Sequence, residues 1–581
     1  TNVSGSATVV LSAPPTVPGP ALTVDVGNQT HAISPYIYGM NYYAGSQPAA
    51  AASISLPVDR WGGNEATSYN YLYDIVGKGD DWYFENFPGS SPVSKNPPTV
   101  SSFNSTVVSD AAVGAKTLGT VPIIGWVPAN NNACSFSVKK YGAQQAVDPY
   151  RTDCGNGTLT NGTRIKNDPT DTYYQVTPAT FDGAWVSYLV SKFGTAANGG
   201  VAIYELDNEP SWWDGVHEDV HPVAFTYDEV TNTSIATAQA IKTADPTAGV
   251  SGPVMDYWWD YFYSKKDVEN GWGTGPCYAP FSGPTDRKAH GGVPFIEYYL
   301  QQFAAASNTY GSRLLDYLDL HTYFAAEYPA GSGNGVTFAS AGDTGAQQAR
   351  LNSTRVFWDP TYTDSSNNYP QPNYPTDPNY TTSCNPPQQS PQLIPMAKGW
   401  AAKDYPGTKV AFTEYSWGGL ESINGALTQA DILGIFGSYG LDLATLWGTP
   451  DPTTQLPGLI AYKIYRNYDG NKSKFGDTAL ASTSVNQGQL SVYGAVRASD
   501  NAVTVVVINK TYGELTSTLS LAGLTGNSGA AQAFLYSNAN LNAIVGPSAV
   551  TVTPPAMGGA ASTIANYTFP AQSITLFVVP Q

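Results

Sequence analysis

In the stretch VAIYELDNEPSWW (residues 201–213) an apolar run ends in three acids at alternate positions, Glu205, Asp207 and Glu209, followed by Pro210 and the pair Trp212–Trp213. Only 12% of the 581 residues are charged, so three carboxylates crowded at the end of a strand-like segment point to chemistry. A further acid, Glu414, closes a second such run, KVAFTEYSW (409–417). Two carboxyl groups facing each other across a cleft suit the cleavage of a glycosidic bond. One protonates the leaving oxygen while the other attacks or stabilises the anomeric carbon. Indoles offer flat apolar faces to sugar rings, and polar neighbours take the hydroxyls. A glutamate at a strand end is more commonly a cap or a surface residue. Glu209 is set apart by Asn208 before it and Pro210 after it, and Glu414 by the desolvation that its apolar strand imposes. Alternation sends Glu205 and Asp207 to the side of Glu209 but lower, as structural groups for cationic or amide partners.

These acids need a frame to face each other. Eight short β-branched or aromatic runs are predicted as strands at 35–43, 56–64, 121–130, 201–210, 249–255, 317–323, 409–417 and 441–448, with helical patterns between them. In segment 177–194, Thr177 is a candidate cap and Pro178 takes the first turn, while Phe181, Trp185, Leu189 and Phe193 recur every four residues. Segments 294–306 and 427–440 behave similarly. This alternation predicts an α/β fold with a (β/α)8 TIM barrel over residues 31–470, whose site lies at the C-terminal ends of the strands. There the predicted strands collect Asn41, Arg60, Asn64, Trp126, Asn208, Glu209, His321, Tyr323, Glu414, Trp417 and Trp447. Candidate substrate-binding residues are Trp61, Asn64, Trp126, Trp212, Trp417 and Trp447, each indole reading equally as core. His321 alone reads as a core histidine, and Arg60 also suits a structural ion pair.

Residues 471–581 change character, with runs such as LSVYGAVRA and NAVTVVVINKT joined by turn residues and no helical pattern, which predicts an all-β sandwich. The strand-like ATVVLS and ALTVDVG within residues 1–30 are expected to join it, with APPTVPGP (13–20) as a stiff connector. Two connections are unusually long, 131–176 and 324–396. The second holds a Pro/Asn/Tyr-rich run, and loops of that length are functional or disordered.

A formal charge of −18, from 27 Lys+Arg against 45 Asp+Glu, argues against a nucleic-acid partner. No apolar run approaches the roughly 20 residues of a membrane span. The opening TNVSGSATVV reads as a mature N-terminus. Eleven Asn-x-Ser/Thr sequons, at Asn2, Asn28, Asn104, Asn156, Asn161, Asn232, Asn352, Asn379, Asn471, Asn509 and Asn566, suggest a secreted, extracellular glycoprotein. The four cysteines lack metal-site spacing. The preferred pairing is Cys134–Cys154 with Cys277–Cys384, one of three connectivities. A monomer is expected.

The motifs DRWGGNEATSYNYLYD (59–74), YELDNEP (204–210), LDLHTY (318–323), FTEYSWGG (412–419) and NYDGNKSKFGDT (467–478) together resemble glycoside hydrolase family 44, of the clan of retaining (β/α)8 glycosidases. The resemblance covers nearly the whole chain. It implies an endo-β-1,4-glucanase acting on xyloglucan or soluble cellulose derivatives with retention of configuration, with Glu209 as acid/base and Glu414 as nucleophile. Arg60, Asn208, His321 and Tyr323 match clan positions that orient those two. Such chemistry requires no cofactor. Some relatives hold a structural calcium, for which Asp80–Asp81 offers carboxylates, although solvated loop charge is the favoured reading. Rival readings are another β-glycanase of the clan, a mannanase or xylanase, and a non-catalytic carbohydrate-binding barrel, which would have lost one glutamate.

Overall fold

Eight parallel strands close a barrel in chain order: Gly39–Asn41, Val58–Trp61, Lys116–Val121, Ile203–Leu206, Gly249–Met255, Tyr317–Tyr323, Lys409–Ser416 and Leu443–Leu446. The computed structural model describes residues 17–89, 97–256, 258–271, 285–324, 340–363, 369, 389–525, 529–555 and 561–581. The chain divides into two units, Ala32–Lys474 with the barrel, and Thr1–His31 with Phe475–Gln581.

The barrel interior is layered by the two-residue period of its strands. At the bottom Val58, Leu118, Ile203, Tyr317, Ala411 and Leu443 make an apolar plug. Two residues further along those same strands stand Arg60, Thr120, Glu205, Asp319, Thr413 and Thr445, all buried. The apolar plug therefore carries a polar floor, and the site is built on top of it. Strict alternation would then turn Glu414 outward. A register shift on the seventh strand prevents this: Ala411 pairs with Asp319, but Glu414 pairs with His321, so one extra residue is accommodated between them. Such a bulge re-aims the side chains that follow it. Both Thr413 and Glu414 consequently face the interior.

The predicted boundaries need three corrections. The third strand is Lys116–Val121 and not 121–130, because Pro122 cannot continue the ladder and Gly125 turns at φ 83°. Trp126–Pro128 instead pairs antiparallel with Tyr173–Gln175 in a separate two-stranded ribbon. The first strand is only Gly39–Asn41, preceded by a helical turn over Pro35–Tyr38 that Ser34 Oγ caps. The fourth strand stops at Leu206, since Asp207 and Glu209 adopt left-handed φ values of 69° and 44°. The helix after the third strand runs Pro178–Phe193 and buries Trp185 and Leu189, but Thr177 makes no side-chain cap bond.

In the second unit nine strands share one sheet, with Leu22–Ala32 parallel to Leu515–Ala522 at its centre-right and antiparallel pairs elsewhere. Residues far apart in strand order, such as Ala533 and Ile564, meet in a single core with Val505, Leu519 and Phe577. The sheet thus folds over itself as a sandwich. The strand-like run ATVVLS lies outside the described residues, as does most of the Pro/Asn/Tyr-rich run.

A disulfide joins Cys134 to Cys154 within the long connection after the third strand. The expected partners Cys277 and Cys384 lie outside the described residues, as do the sequons at Asn2 and Asn379. Two of the described sequon asparagines are buried: Asn104 donates to Tyr188 Oη, and Asn509 to three carbonyl oxygens. Neither side chain is open to modification in the folded protein.

Candidate active site

Arg60 organises the barrel mouth. Fully buried, it spends its whole guanidinium on side chains at the strand ends. Nε and Nη2 hold both oxygens of Glu205 at 2.7–2.9 Å, Nη1 reaches Glu414 Oε1 at 2.6 Å and Asn41 Oδ1 at 3.1 Å, and Nη2 donates to Asn208 Oδ1 at 2.8 Å. A buried cation needs this many partners, and a planar fork is the side chain that can serve them together. The glycines that follow explain why the motif is WGG. A Cβ on Gly62 would stand 2.6 Å from Arg60 Cζ, and one on Gly63, at φ 92°, 2.9 Å from the Trp447 ring.

Glu414 receives one further donor, the Tyr323 hydroxyl, on Oε2. Glu209 has different company. Its Oε1 lies 2.7 Å from His321 Nδ1, whose Nε2 lies 3.0 Å from Thr413 Oγ1. The Thr413 hydroxyl and amide both donate to Asp319 Oδ1, at 2.9 and 3.1 Å. Burial raises the pKa of both glutamates, yet unequally. Glu209 is held well above the usual carboxylate range, by desolvation first and then by the charges of Asp256 and Glu414. At Glu414 the upward pull of burial is opposed by Arg60 and by the Tyr323 hydrogen bond. The pair therefore separates into a proton holder and a carboxylate.

Both glutamates line a cleft of about 720 Å3 together with Asn64, Asp256, Tyr323 and Trp447. The structure thus brings together Arg60, Asn208, Glu209, His321, Tyr323 and Glu414 in one hydrogen-bonded network, as their strand-end positions predict. Asn64 joins it by accepting from Asn208 Nδ2 at 2.9 Å. Glu205 meets the cationic partner expected of it, and Asp207 accepts from the Ile123 and Asn208 amides.

The indoles fare differently. Trp447 lines the cleft, and Trp212, 43% exposed, is tied to Asp256 through its Nε1. One expectation is corrected, and two further indoles lie away from the cleft. Trp417 is core, its Nε1 donating to Ser353 Oγ at 2.8 Å and its ring against Phe357. Trp126 belongs to the separate ribbon and is not among the residues lining the cleft. Trp61 packs edge-on against Tyr69 and Phe103, is only 3% exposed, and lines a smaller neighbouring cavity in place of the cleft. Sequence reasoning missed Asp256, Asp319 and Thr413, and also Trp82 and Phe87, which line the cleft from the loops after the second strand. Asp319 and Thr413 carried a legible signal, being polar at inward positions of apolar strands. Asp256 and Trp82 carried none. Asp80 and Asp81 are exposed, Asp81 accepting from Asn64 at 3.0 Å, and they contribute to no three-ligand cluster among the described residues.

The family model for glycoside hydrolase family 44 matches residues 75–326. Endoglucanase A of Paenibacillus lautus is 31% identical over 545 residues, 89% of this chain and 69% of that protein. The chain belongs to glycoside hydrolase family 44. Among solved structures, CelM2, a bifunctional glucanase-xylanase from a metagenome library, is 38% identical with a TM-score of 0.84, the match covering 97% of this chain and 99% of that one. A Paenibacillus polymyxa xyloglucanase of family 44 is 27% identical with a TM-score of 0.73, covering 96% and 99%. This glycoside hydrolase therefore has its family's barrel and sandwich, and its relatives act on β-glucans.

Proposed function

We propose that the chain is a secreted, retaining endo-β-1,4-glucanase that cuts soluble glucans, xyloglucan among them, by double displacement. One observation carries the stereochemical part. Carboxylate oxygens of Glu209 and Glu414 and a nitrogen of His321 all lie within 4.8 Å of one another. Retaining enzymes hold their two carboxyl groups about 5–5.5 Å apart, whereas inverting ones need about 6.5–9.5 Å to admit a water. In the first step Glu414 attacks the anomeric carbon while Glu209 gives its proton to the departing glycosidic oxygen. In the second, Glu209 takes a proton from water, which displaces Glu414 from the sugar. Arg60 and Tyr323 hold the Glu414 charge before attack and release it as the ester forms.

The glucan reading is supported by the names of the relatives, Endoglucanase A and a family 44 xyloglucanase. The name of CelM2 favours a second reading, that xylan is also cut. Secretion is supported by the Cys134–Cys154 disulfide and by exposed sequon asparagines such as Asn161 and Asn232. Among the described residues no helix is long and apolar enough to cross a membrane. The deciding experiment is proton NMR of the products as they form, on xyloglucan, carboxymethyl cellulose, xylan and mannan in parallel, with viscosity followed alongside. A β-anomer formed first, with viscosity falling before reducing ends accumulate, is expected on the glucans. An α-anomer formed first overturns the double displacement, and cleavage confined to mannan or xylan overturns the substrate.

A further inference from the structure

Beside the cleft lies a second cavity of about 290 Å3, bounded on the shared edge by Glu65, Lys78 and Phe87, which line both spaces. Neither Glu209 nor Glu414 lines it. We propose that this side pocket binds a single sugar ring branching from the glucan backbone, such as the xylosyl group that xyloglucan carries on its 6-hydroxyls. The inference rests on the glucanase reading above and names the branch as a determinant of specificity.

Three features of the pocket point to that ligand. The first is size: it lies at the lower limit of the roughly 300–1,000 Å3 of ligand pockets, enough for one ring and too small for a run of backbone. The second is its surface. Buried Trp61 and Val76 are apolar, as is the half-buried ring of Phe87, while Ser102 and Thr106 from the helix Ser102–Val113 add hydroxyls. Apolar faces with a few convergent polar groups are how proteins hold a pyranose. The third is charge. Among the described residues that line it, Lys78 and Glu65 are the only charged ones, and they form an ion pair with each other. A pocket with its charges cancelled suits a neutral polyol rather than an anion or a cation. The ammonium and carboxylate groups retain hydrogen-bonding capacity for sugar hydroxyls. Because the pair lies on the shared edge, a branch can enter the pocket while its backbone stays in the cleft.

Thr106→Phe fills the pocket from a residue that does not line the cleft. The expected result is a fall of at least tenfold in kcat/KM on xyloglucan with kcat/KM on unbranched cellohexaose within twofold of the wild type. Thr106→Leu, a smaller intrusion, is expected to give the same selective loss at reduced size, and serves where the phenylalanine variant fails to fold. A loss shared equally by both substrates, or no loss on either, overturns the proposal. So does a wild type that cuts cellohexaose and leaves xyloglucan intact, an outcome under which the glucanase reading stands. A wild type that cuts neither removes the glucanase reading itself.

Discussion

His321 Nδ1 faces Glu209 Oε1 at 2.7 Å, and the hydrogen bonds behind the ring decide which of the two carries the proton. Asp319 Oδ1 already accepts twice from Thr413, so the Thr413 hydroxyl is committed as a donor. Thr413 Oγ1 can then only accept from His321 Nε2–H. Burial and the Arg60 charge hold the His321 pKa well below its ordinary value, so the ring is neutral and its Nδ1 is an acceptor. An acceptor facing a carboxyl group at this distance stabilises the protonated carboxyl. Asp319, Thr413 and His321 thus hold the proton on Glu209. Thr413→Val keeps the shape and removes the acceptor. A hydrogen bond to the neutral form raises a pKa, so its loss lowers that of Glu209, and the alkaline limb of kcat/KM is expected to move to lower pH. Activity at neutral pH falls roughly tenfold, less than the roughly 10²–10⁴ that general acid catalysis contributes as a whole, because the acid itself remains. A pH–rate profile checks this, and an unmoved limb with reduced amplitude would leave Thr413 a packing residue only.

Asp256 acts on the same proton through its charge. It accepts from Ser211 Oγ at 2.6 Å and from Trp212 Nε1, and after burial it is the largest influence raising the Glu209 pKa. As the proposed general acid Glu209 must be protonated to act, so activity is expected to persist below its pKa and to be lost above it. Asp256→Asn removes the repulsion, lowers that pKa, and is expected to draw the alkaline limb down while leaving the acid limb, set by Glu414, in place. A shift of both limbs together would sink this assignment.

The two strand-end glutamates and their supporting residues were legible because a carboxylate on an apolar strand has few other reasons to be there. Seven of the eight barrel strands were legible as short β-branched or aromatic runs between helical patterns, whereas the run read as the third, 121–130, shares a single residue with Lys116–Val121. What the sequence hid lies in backbone geometry. Nothing in KVAFTEYSW announces the bulge that turns Glu414 inward, and no composition signal separates Trp447, which lines the cleft, from Trp417, which is core. The strand end at Leu206 is set by left-handed backbone at Asp207 and Glu209, a cost of order 1–3 kcal/mol each that the surrounding network must offset. Asp256 and Trp82 reach the cleft from loops, where neither period nor propensity indicates direction.

Gly63 tests the packing of the cleft wall. Its φ of 92° already disfavours any side chain, and an added Cβ would stand 2.9 Å from Trp447. Gly63→Ala is expected to cost about 1–3 kcal/mol of stability and to raise KM more than it lowers kcat, since Trp447 moves and the glutamates do not. Thermal unfolding and steady-state kinetics on one preparation read both effects. An alanine variant with unchanged melting temperature and KM would contradict the close approach.

The disulfide has a loop of 20 residues to constrain. Closing a loop of that size contributes about 2–4 kcal/mol. The double replacement Cys134→Ser with Cys154→Ser is expected to lower the melting temperature by several degrees without changing kcat, because neither cysteine lines the cleft. A fall in kcat at a temperature where the variant remains folded would show that the connection 131–176 shapes the cleft after all.

The two glutamates can be told apart by what each variant still does. Glu209→Gln keeps the shape of the side chain but removes the proton donor. A natural glycosidic bond, with its poor leaving group, should then be cut about 10²–10⁴-fold more slowly. An activated aryl glycoside departs with little protonation, so its first step survives and the sugar accumulates as an ester on Glu414. Water is no longer activated for the second step, but azide needs no general base and should restore turnover, giving a glycosyl azide of retained configuration. Glu414→Gln removes the carboxylate proposed to attack, which Arg60 and Tyr323 hold in place. Neither substrate should be cleaved at more than a trace, no ester should form, and azide should not yield a product of retained configuration. Burst kinetics with the aryl glycoside, intact mass of the enzyme and NMR of the azide product decide between the roles. Accumulation of ester in Glu414→Gln, or azide rescue in that variant with a product of retained configuration, would reverse the assignment, because the displaced carboxylate would then be Glu209.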